Sequence, residues 1–212
     1  MQTSEIIKLL EHRLAEAEAQ LAKTESAHRA REKRQAFLLE LSDALRPVSD
    51  ARDIQKTTTR MVGTHLGVDR AMYAEVDGAL GAETGTVHAQ FVRPPASDGS
   101  ATVEVFPHQF TFDQFGVHTM GARYRGEPLV VTDISSDPAF GAEERGTWQK
   151  AGVCAAIVAP LAKGGRLVAE FGIHCAQARN WTSEEVALVQ EVAERTWATA
   201  ERARAEAALR AS

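Results

Sequence analysis

Residues 153–175 read Val-Cys-Ala-Ala-Ile-Val-Ala-Pro-Leu-Ala-Lys-Gly-Gly-Arg-Leu-Val-Ala-Glu-Phe-Gly-Ile-His-Cys. Two apolar runs, 153–160 and 167–175, flank Lys163-Gly164-Gly165. Paired glycines between strand-forming runs favour a tight hairpin, because such turns need positive φ. The two runs are therefore predicted to be antiparallel neighbours. Side chains alternate along a strand, so Leu167, Ala169, Phe171, Ile173 and Cys175 share one face. Val168, Glu170, Gly172 and His174 share the other. The apolar set suits a helix-covered face, which leaves Glu170 and His174 on the opposite side.

On the C-terminal side, Thr182 or Ser183 opens a helix, with Glu184 and Glu185 favourable in its first turn. Val186, Val189, Ala193, Thr196, Ala200, Ala203 and Ala207 keep a three-four spacing. This seam begins branched and becomes small, a pattern that lets helices approach closely while burying little area. The first half is expected on the helix's own sheet and the second half toward a partner.

On the N-terminal side, 128–132 reads as a strand, and 133–146 carries turn chemistry with a helical turn near Glu143. Residues 70–77 alternate and read as a strand, followed by a Gly-rich turn and an antiparallel partner at 86–92. A loop at 94–100, a short strand at 102–106 and a short helix at 111–122 follow. Phe106, Phe110, Phe112 and Phe115 either line an aromatic pocket or form a small core under this connection. Ser49 or Asp50 caps a helix with an apolar stripe on Ile54, Met61, Val62 and Leu66, closed by Gly67.

Residues 5–45 contain no proline or glycine, and 1–46 balance eight Lys/Arg against eight Asp/Glu. Leu10, Leu14, Ala17 and Leu21 make a coiled-coil seam. Thr24, His28 and Arg31 interrupt it, it resumes near Leu38 and Leu45, and Pro47 ends the helix. The expected organisation is a coiled-coil-like helix at 1–46, a core at 47–181, and a C-terminal helix at 182–212 that continues as a connector. Most strands join by short turns, so the class is α+β with a largely antiparallel sheet flanked by helices.

The chain has 212 residues, 44% hydrophobic and 25% charged, with a net charge of −5. That composition is a folded protein's and argues against a nucleic-acid footprint. Its two cysteines, Cys154 and Cys175, cannot build a disulfide framework and read as free thiols of a reducing cytosol. No apolar run is long enough to span or contact a membrane, and the N-terminus lacks a signal-peptide pattern, so the expected location is cytoplasmic. No His or Cys pair has metal-ligand spacing.

The stretch from about Gln35 to Leu209 resembles a GAF domain. The resemblance rests on 37–47, Phe-Leu-Leu-Glu-Leu-Ser-Asp-Ala-Leu-Arg-Pro, and on 65–70, His-Leu-Gly-Val-Asp-Arg, before the first strand. It continues at 131–138, Val-Thr-Asp-Ile-Ser-Ser-Asp-Pro, at Gly152-Val153 leading into Ala159-Pro160-Leu161, and at 181–186, Trp-Thr-Ser-Glu-Glu-Val. The wording is similar to GAF input modules of bacterial sensor histidine kinases, and 200–210 looks like their connector helix.

The resemblance implies a central antiparallel sheet of five or six strands. The first and last helices would cover one face, and short helices and loops would enclose a pocket on the other. Ligands in the family include cyclic nucleotides, haem, bilins and small anions, or none, so no cofactor is evident. The chain carries no phosphoacceptor box and no ATP-binding half, so it is expected not to be an enzyme. It departs from the bilin pattern (the Asp-Ile-Pro of phytochromes is absent, with Asp133-Ile134-Ser135 the nearest match), from the Asn-Lys-Phe-Asp-Glu signature of cyclic-nucleotide sites, and from the cysteine set of the methionine-sulfoxide-reducing members.

The candidate pocket residues are Glu170 and His174, joined by Tyr73 and Glu75 if their shared face is the pocket side, and by His118, Arg123 and Tyr124 from the covering segment. Each also has a plainer reading: solvated carboxylates, a histidine satisfying a backbone carbonyl, a surface histidine on a loop. The functional expectation is a sensory module, homodimeric through Leu10, Leu14, Ala17, Leu21, Val189, Ala193, Thr196, Ala200, Ala203 and Ala207. It would relay a pocket-side or partner signal to an output kinase or adjacent sensor domain. The alternatives are a small-molecule or tetrapyrrole (haem or bilin) receptor and a cysteine-dependent redox enzyme.

Overall fold

The run without proline or glycine forms α1, Gln2–Leu45, in the computed structural model, which describes residues 2–78, 82–94 and 103–211, with side chains from residue 7. Asp50 caps α2, Ala51–Leu66, by accepting the N–H groups of Arg52 and Asp53 at 2.9 and 3.1 Å. Such a cap is worth about 1 kcal/mol. Gly67 ends the helix in the left-handed region, at φ 61°. Strands β1 (Arg70–Asp77), β2 (Thr84–Val92) and β3 (Gln109–Thr111) follow. A 3₁₀ turn at Asp113–Phe115 then leads into α3, Gly116–Tyr124. The chain continues through β4 (Leu129–Val131), α4 (Ala142–Lys150), β5 (Ala155–Lys163), β6 (Arg166–Cys175) and α5 (Ser183–Ala211).

The strands form one antiparallel sheet in the order β3-β2-β1-β6-β5-β4. The expected α+β sheet of five to six strands is thus observed with six. Gly164 and Gly165, at φ 58° and 77°, make the β5–β6 turn. Thr182 and Glu185 cap α5 reciprocally: the Glu185 N–H donates to Thr182 Oγ1 at 3.2 Å, and the Thr182 N–H donates to Glu185 Oε2 at 2.8 Å.

Three local expectations are corrected. Within the segment predicted as a strand at 102–106, the described residues 103–106 are irregular, and the strand lies at 109–111. The helix predicted at 111–122 begins only at Gly116, whose φ 79°, ψ 177° is open essentially to glycine alone and separates it from the 3₁₀ turn. The helical turn near Glu143 is a nine-residue helix. The Gly-rich turn after β1 and the loop expected at 94–100 fall mostly outside the described residues.

Helices α2 and α5 pack on each other and over β1, β2, β5 and β6. The other face is covered by α3, α4 and the phenylalanine segment. There Met72, Ala74, Val76, Ala156 and Val158 from the sheet meet Phe106, Phe110, Phe112, Phe115, Phe140 and Trp148. A bulge opposite Leu161/Ala162 makes Val168 an extra residue in β6. Leu167 is thereby turned onto this second cluster instead of sharing the face of Phe171 and Ile173.

The α5 seam stays on its own chain further than expected, through Ala200 and Ala203. Val189, Ala193, Thr196, Ala200 and Ala203 are at most 5% exposed within their own chain, so small side chains here bring α5 close to α2 and the sheet. Ala207 is exposed.

The chain divides into two units, 1–39 and 40–212. The first is helical, with Leu10, Leu14 and Leu21 about 60% exposed and Ala17 exposed beside them. The second contains the sheet. Among the described residues, no helix is long and apolar enough to cross a membrane.

Candidate functional site

Register decides which polar groups meet. Strand β1 pairs with β6 so that Arg70 lies opposite His174, Met72 opposite Gly172 and Ala74 opposite Glu170. All six occupy the α3/α4 side, because cross-strand partners share a face. A Cβ on Gly172 would sit 3.2 Å from His174 Nε2 and 3.3 Å from Met72 Cγ. The missing side chain leaves room for the His174 ring.

His174 is buried and its pKa is held well below 6.5, first by burial and then by the nearby guanidinium groups of Arg70 and Arg123. The ring is therefore neutral at pH 7. Arg70 Nε donates to its Nδ1 at 2.9 Å, so the proton of the neutral ring sits on Nε2. The ring lies against Phe106 and Trp148, with centroids 6.4 and 5.9 Å away.

Arg123, from α3, reaches down to Glu170. Nε donates to Oε2 at 2.7 Å and Nη2 to Oε1 at 3.3 Å, and the guanidinium lies 4.7 Å from the Phe112 ring centroid. Such a pair neutralises two charges that burial would otherwise make costly.

Two clefts flank these groups. One, of about 330 Å³, is lined by Arg70, Phe106, Phe110, Phe115, Gln114 and Lys150 among others. The other, of about 470 Å³, is lined by Glu83, Arg123, Tyr124, Arg166 and Leu167 among others. Both fall at the lower end of the range for small-molecule sites, about 300–1,000 Å³.

The fold thus brings Glu170, His174 and Arg123 to one face. Tyr124 stands at the rim, 47% exposed, its hydroxyl donating to Glu83 at 3.1 Å. His118 is half-buried against Phe140, with ring centroids 4.9 Å apart, and its N–H donates to Glu144 at 3.1 Å. That carboxylate therefore occupies the N-terminus of α3.

Tyr73 and Glu75 are not part of this site, which corrects their conditional placement. Tyr73 pairs opposite Phe171, and Glu75 is met by Gln55 of α2 at 3.0 Å and by Arg204 of α5. Both face the helix-covered side. Glu75 also lies 3.2 Å from His88 Nε2. Burial, and then Glu75, raise the Tyr73 pKa, so its phenol stays protonated.

Sequence reasoning missed Arg70, Trp148 and Arg204. Arg70 shares parity with Met72 and Ala74, a signal that becomes usable only once the covered face is known. The phenylalanines are both core and lining: all four are buried, and Phe106, Phe110 and Phe115 border the smaller cleft.

Neither cysteine lines the Arg70 cleft or the Arg123 cleft. Cys154 donates to Asp133 Oδ1 at 3.3 Å, and Cys175 is buried beside Arg179. Burial raises both thiol pKa values, and for Cys154 the Asp133 carboxylate adds to the effect. Among the described residues, no group of three or more His, Cys, Asp or Glu could hold a metal ion.

Comparison with known proteins gives one family and many structural relatives. The family model described as "GAF domain" matches residues 50–199. No curated protein matches the sequence. Among solved structures, the phycocyanobilin-bound GAF domain from a cyanobacterial phytochrome is 16% identical, with a TM-score of 0.66 over 82% of this chain and 96% of that one. The GAF domain of a phosphoenolpyruvate-protein phosphotransferase from Coxiella burnetii is 17% identical, with a TM-score of 0.61 over 84% and 98%. Free methionine-R-sulfoxide reductase from Neisseria meningitidis, solved with its substrate, is 15% identical, with a TM-score of 0.60 over 82% and 91%. At these identities the likeness is one of fold.

Proposed function

The chain belongs to the GAF domain family, and on that premise we propose that it is a cytoplasmic sensory module that relays a pocket-side or partner signal through its terminal helices to an output kinase. The supporting observation is the two-sidedness of β6. Glu170 and His174 face the α3/α4 side, where their partners Arg123 and Arg70 line the clefts, while Phe171 and Ile173 between them face the α2/α5 layer. A ligand that prefers one arrangement of Arg123 or Arg70 acts on a strand that α5 lies against, and differential affinity for two arrangements is what a relay requires. Arg204 extends the connection by bonding Glu75 of β1, after which α5 continues to Ala211.

The partner surface in this reading is the exposed seam of α1, Leu10, Leu14, Ala17 and Leu21, paired across a homodimer. The α5 contribution begins beyond Ala203, at Ala207. Light scattering is expected to give a dimer, and Leu10→Glu with Leu14→Glu a monomer. A wild-type monomer at concentrations on the order of 100 μM would overturn the dimer. Joined through α5 to a histidine-kinase core, a one-residue insertion after Ala207 should change basal autophosphorylation. An unchanged rate would sink the relay.

A further inference from the structure

Two arginines are buried on the α3/α4 side, and among the described residues only one has a carboxylate partner. Arg123 has Glu170. Arg70, 1% exposed, spends Nε on His174 and Nη1 on the carbonyls of Glu104 and Ala151, at 2.7 and 3.4 Å. Its Nη2 has no partner among the described residues. Burial pushes its pKa down to about 10. The indole Nε1 of Trp148, 2% exposed, is likewise unpartnered among the described residues. The Trp148 ring packs on His174 and on Phe115, at 5.9 and 5.1 Å. Among the described residues this aromatic nest is short of acceptors and of negative charge, a costly arrangement in a low-dielectric interior.

We propose that the cleft beside Arg70 binds a small organic monocarboxylate, its carboxylate on the Arg70 guanidinium and its apolar body against Phe106, Phe110 and Phe115. The inference deepens the sensory reading and rests on it for the ligand's role. Three features select this class. Arg70 Nη2, unpartnered among the described residues, offers charged N–H donors that a carboxylate oxygen can accept. Among the described residues the rim offers one further cation, Lys150, offset by Glu104, so these groups balance about one negative charge rather than the two of a phosphate. At the nearby starts of α3 and α4 a carboxylate already stands where a phosphate would sit, because Glu144 accepts from the His118 and Gly141 N–H groups, each at 3.1 Å.

The test is a titration of ¹⁵N-labelled full chain with benzoate and phenylacetate, following the Trp148 indole N–H by NMR, its signal assigned with Trp148→Phe. Benzamide, of the same shape without charge, and inorganic sulfate and phosphate are the controls. The carboxylates are expected to shift this signal, leaving those of Trp181 and Trp197 in place, and benzamide is expected to bind at least about tenfold more weakly. Arg70→Lys keeps the charge, loses the Nη2 donors, and should weaken benzoate by a similar factor.

No shift with either carboxylate at about 10 mM, ten times the weak millimolar range, would overturn the proposal. So would equal binding of benzamide, a stronger response to sulfate or phosphate, or full affinity in Arg70→Lys. If that variant fails to fold, the comparison of benzoate with benzamide on the wild-type chain still decides. A negative result leaves the relay reading intact, because the oligomeric state and kinase coupling test that reading separately.

Discussion

Arg123 and Glu170 meet at two points, 2.7 and 3.3 Å, with side chains only 2% and 4% exposed. They tie α3, which covers one face, to β6 at the centre of the sheet. The pair is therefore both a lock on the cover and a charge balance that the interior requires.

Removing one partner should be far worse than removing both. Glu170→Ala strands the Arg123 guanidinium among Phe112 and Phe115 and is expected to cost about 3–5 kcal/mol. Arg123→Met combined with Glu170→Leu should recover most of that loss, since similar-sized apolar replacements of buried pairs are often neutral. Urea denaturation of the two single variants and the double variant measures the difference. Equal losses in all three would refute the charge argument.

His174 makes stability depend on pH. Its folded pKa lies below the 6.5 of the unfolded chain, because burial and the two arginines disfavour the imidazolium. The unfolded state binds the extra proton first, so this contribution is complete above pH 6.5 and is lost as pH falls toward the folded pKa. The slope approaches about 1.4 kcal/mol per pH unit. Denaturation at pH 7 and pH 5.5 should show the wild type losing more stability than His174→Gln. Parallel losses would refute the assignment.

Local chemistry was legible in the sequence and non-local choice was not. Lys163-Gly164-Gly165, the Asp50 cap and the Thr182–Glu185 cap carry their own turn and capping signals within a few residues. Strand parity likewise put Glu170 and His174 on one face. Parity does not say which face of another strand joins them, and only the β1–β6 register separates Arg70, Met72 and Ala74 from Tyr73 and Glu75. The small-residue seam of α5 shows the same limit. Its spacing indicates one packed stripe, yet a partner helix and the chain's own sheet call for the same pattern.

Both thiols should be poor nucleophiles. Burial raises the Cys175 pKa, and burial together with Asp133 raises that of Cys154. Reactivity follows the thiolate fraction. At pH 7.5, iodoacetamide should modify each more slowly than a free cysteine, and in urea both should react at the ordinary rate. Fast labelling of the folded chain would restore a redox role to consideration.

Glu75 anchors the far half of α5. It accepts from Arg204 and from Gln55 and faces His88, linking α5, α2 and β2 to β1. Arg204→Ala should raise hydrogen exchange in α5 beyond Ala200 while leaving the turn around Val189 protected. Uniform exchange along α5 in both proteins would mean that burial of the alanine stripe alone holds the helix. The Arg204 bond would then have no part in a relay.

Gly63 tests how tightly α2 lies on the sheet. A Cβ there would come within 2.1 Å of the Phe91 ring, so the glycine is required by close approach and not by backbone conformation. Alanine in a helix interior is favourable by about 1 kcal/mol, whereas forcing a methyl group into a packed contact costs about 1–3 kcal/mol. Overpacking should win, and Gly63→Ala should destabilise the wild-type chain. With Phe91→Ala the obstruction is gone, and the same substitution should become neutral or stabilising. Thermal or urea denaturation around this cycle reads the reversal directly. Loss of stability in both backgrounds would mean that the α2 backbone, not the ring of Phe91, sets the spacing of helix and sheet.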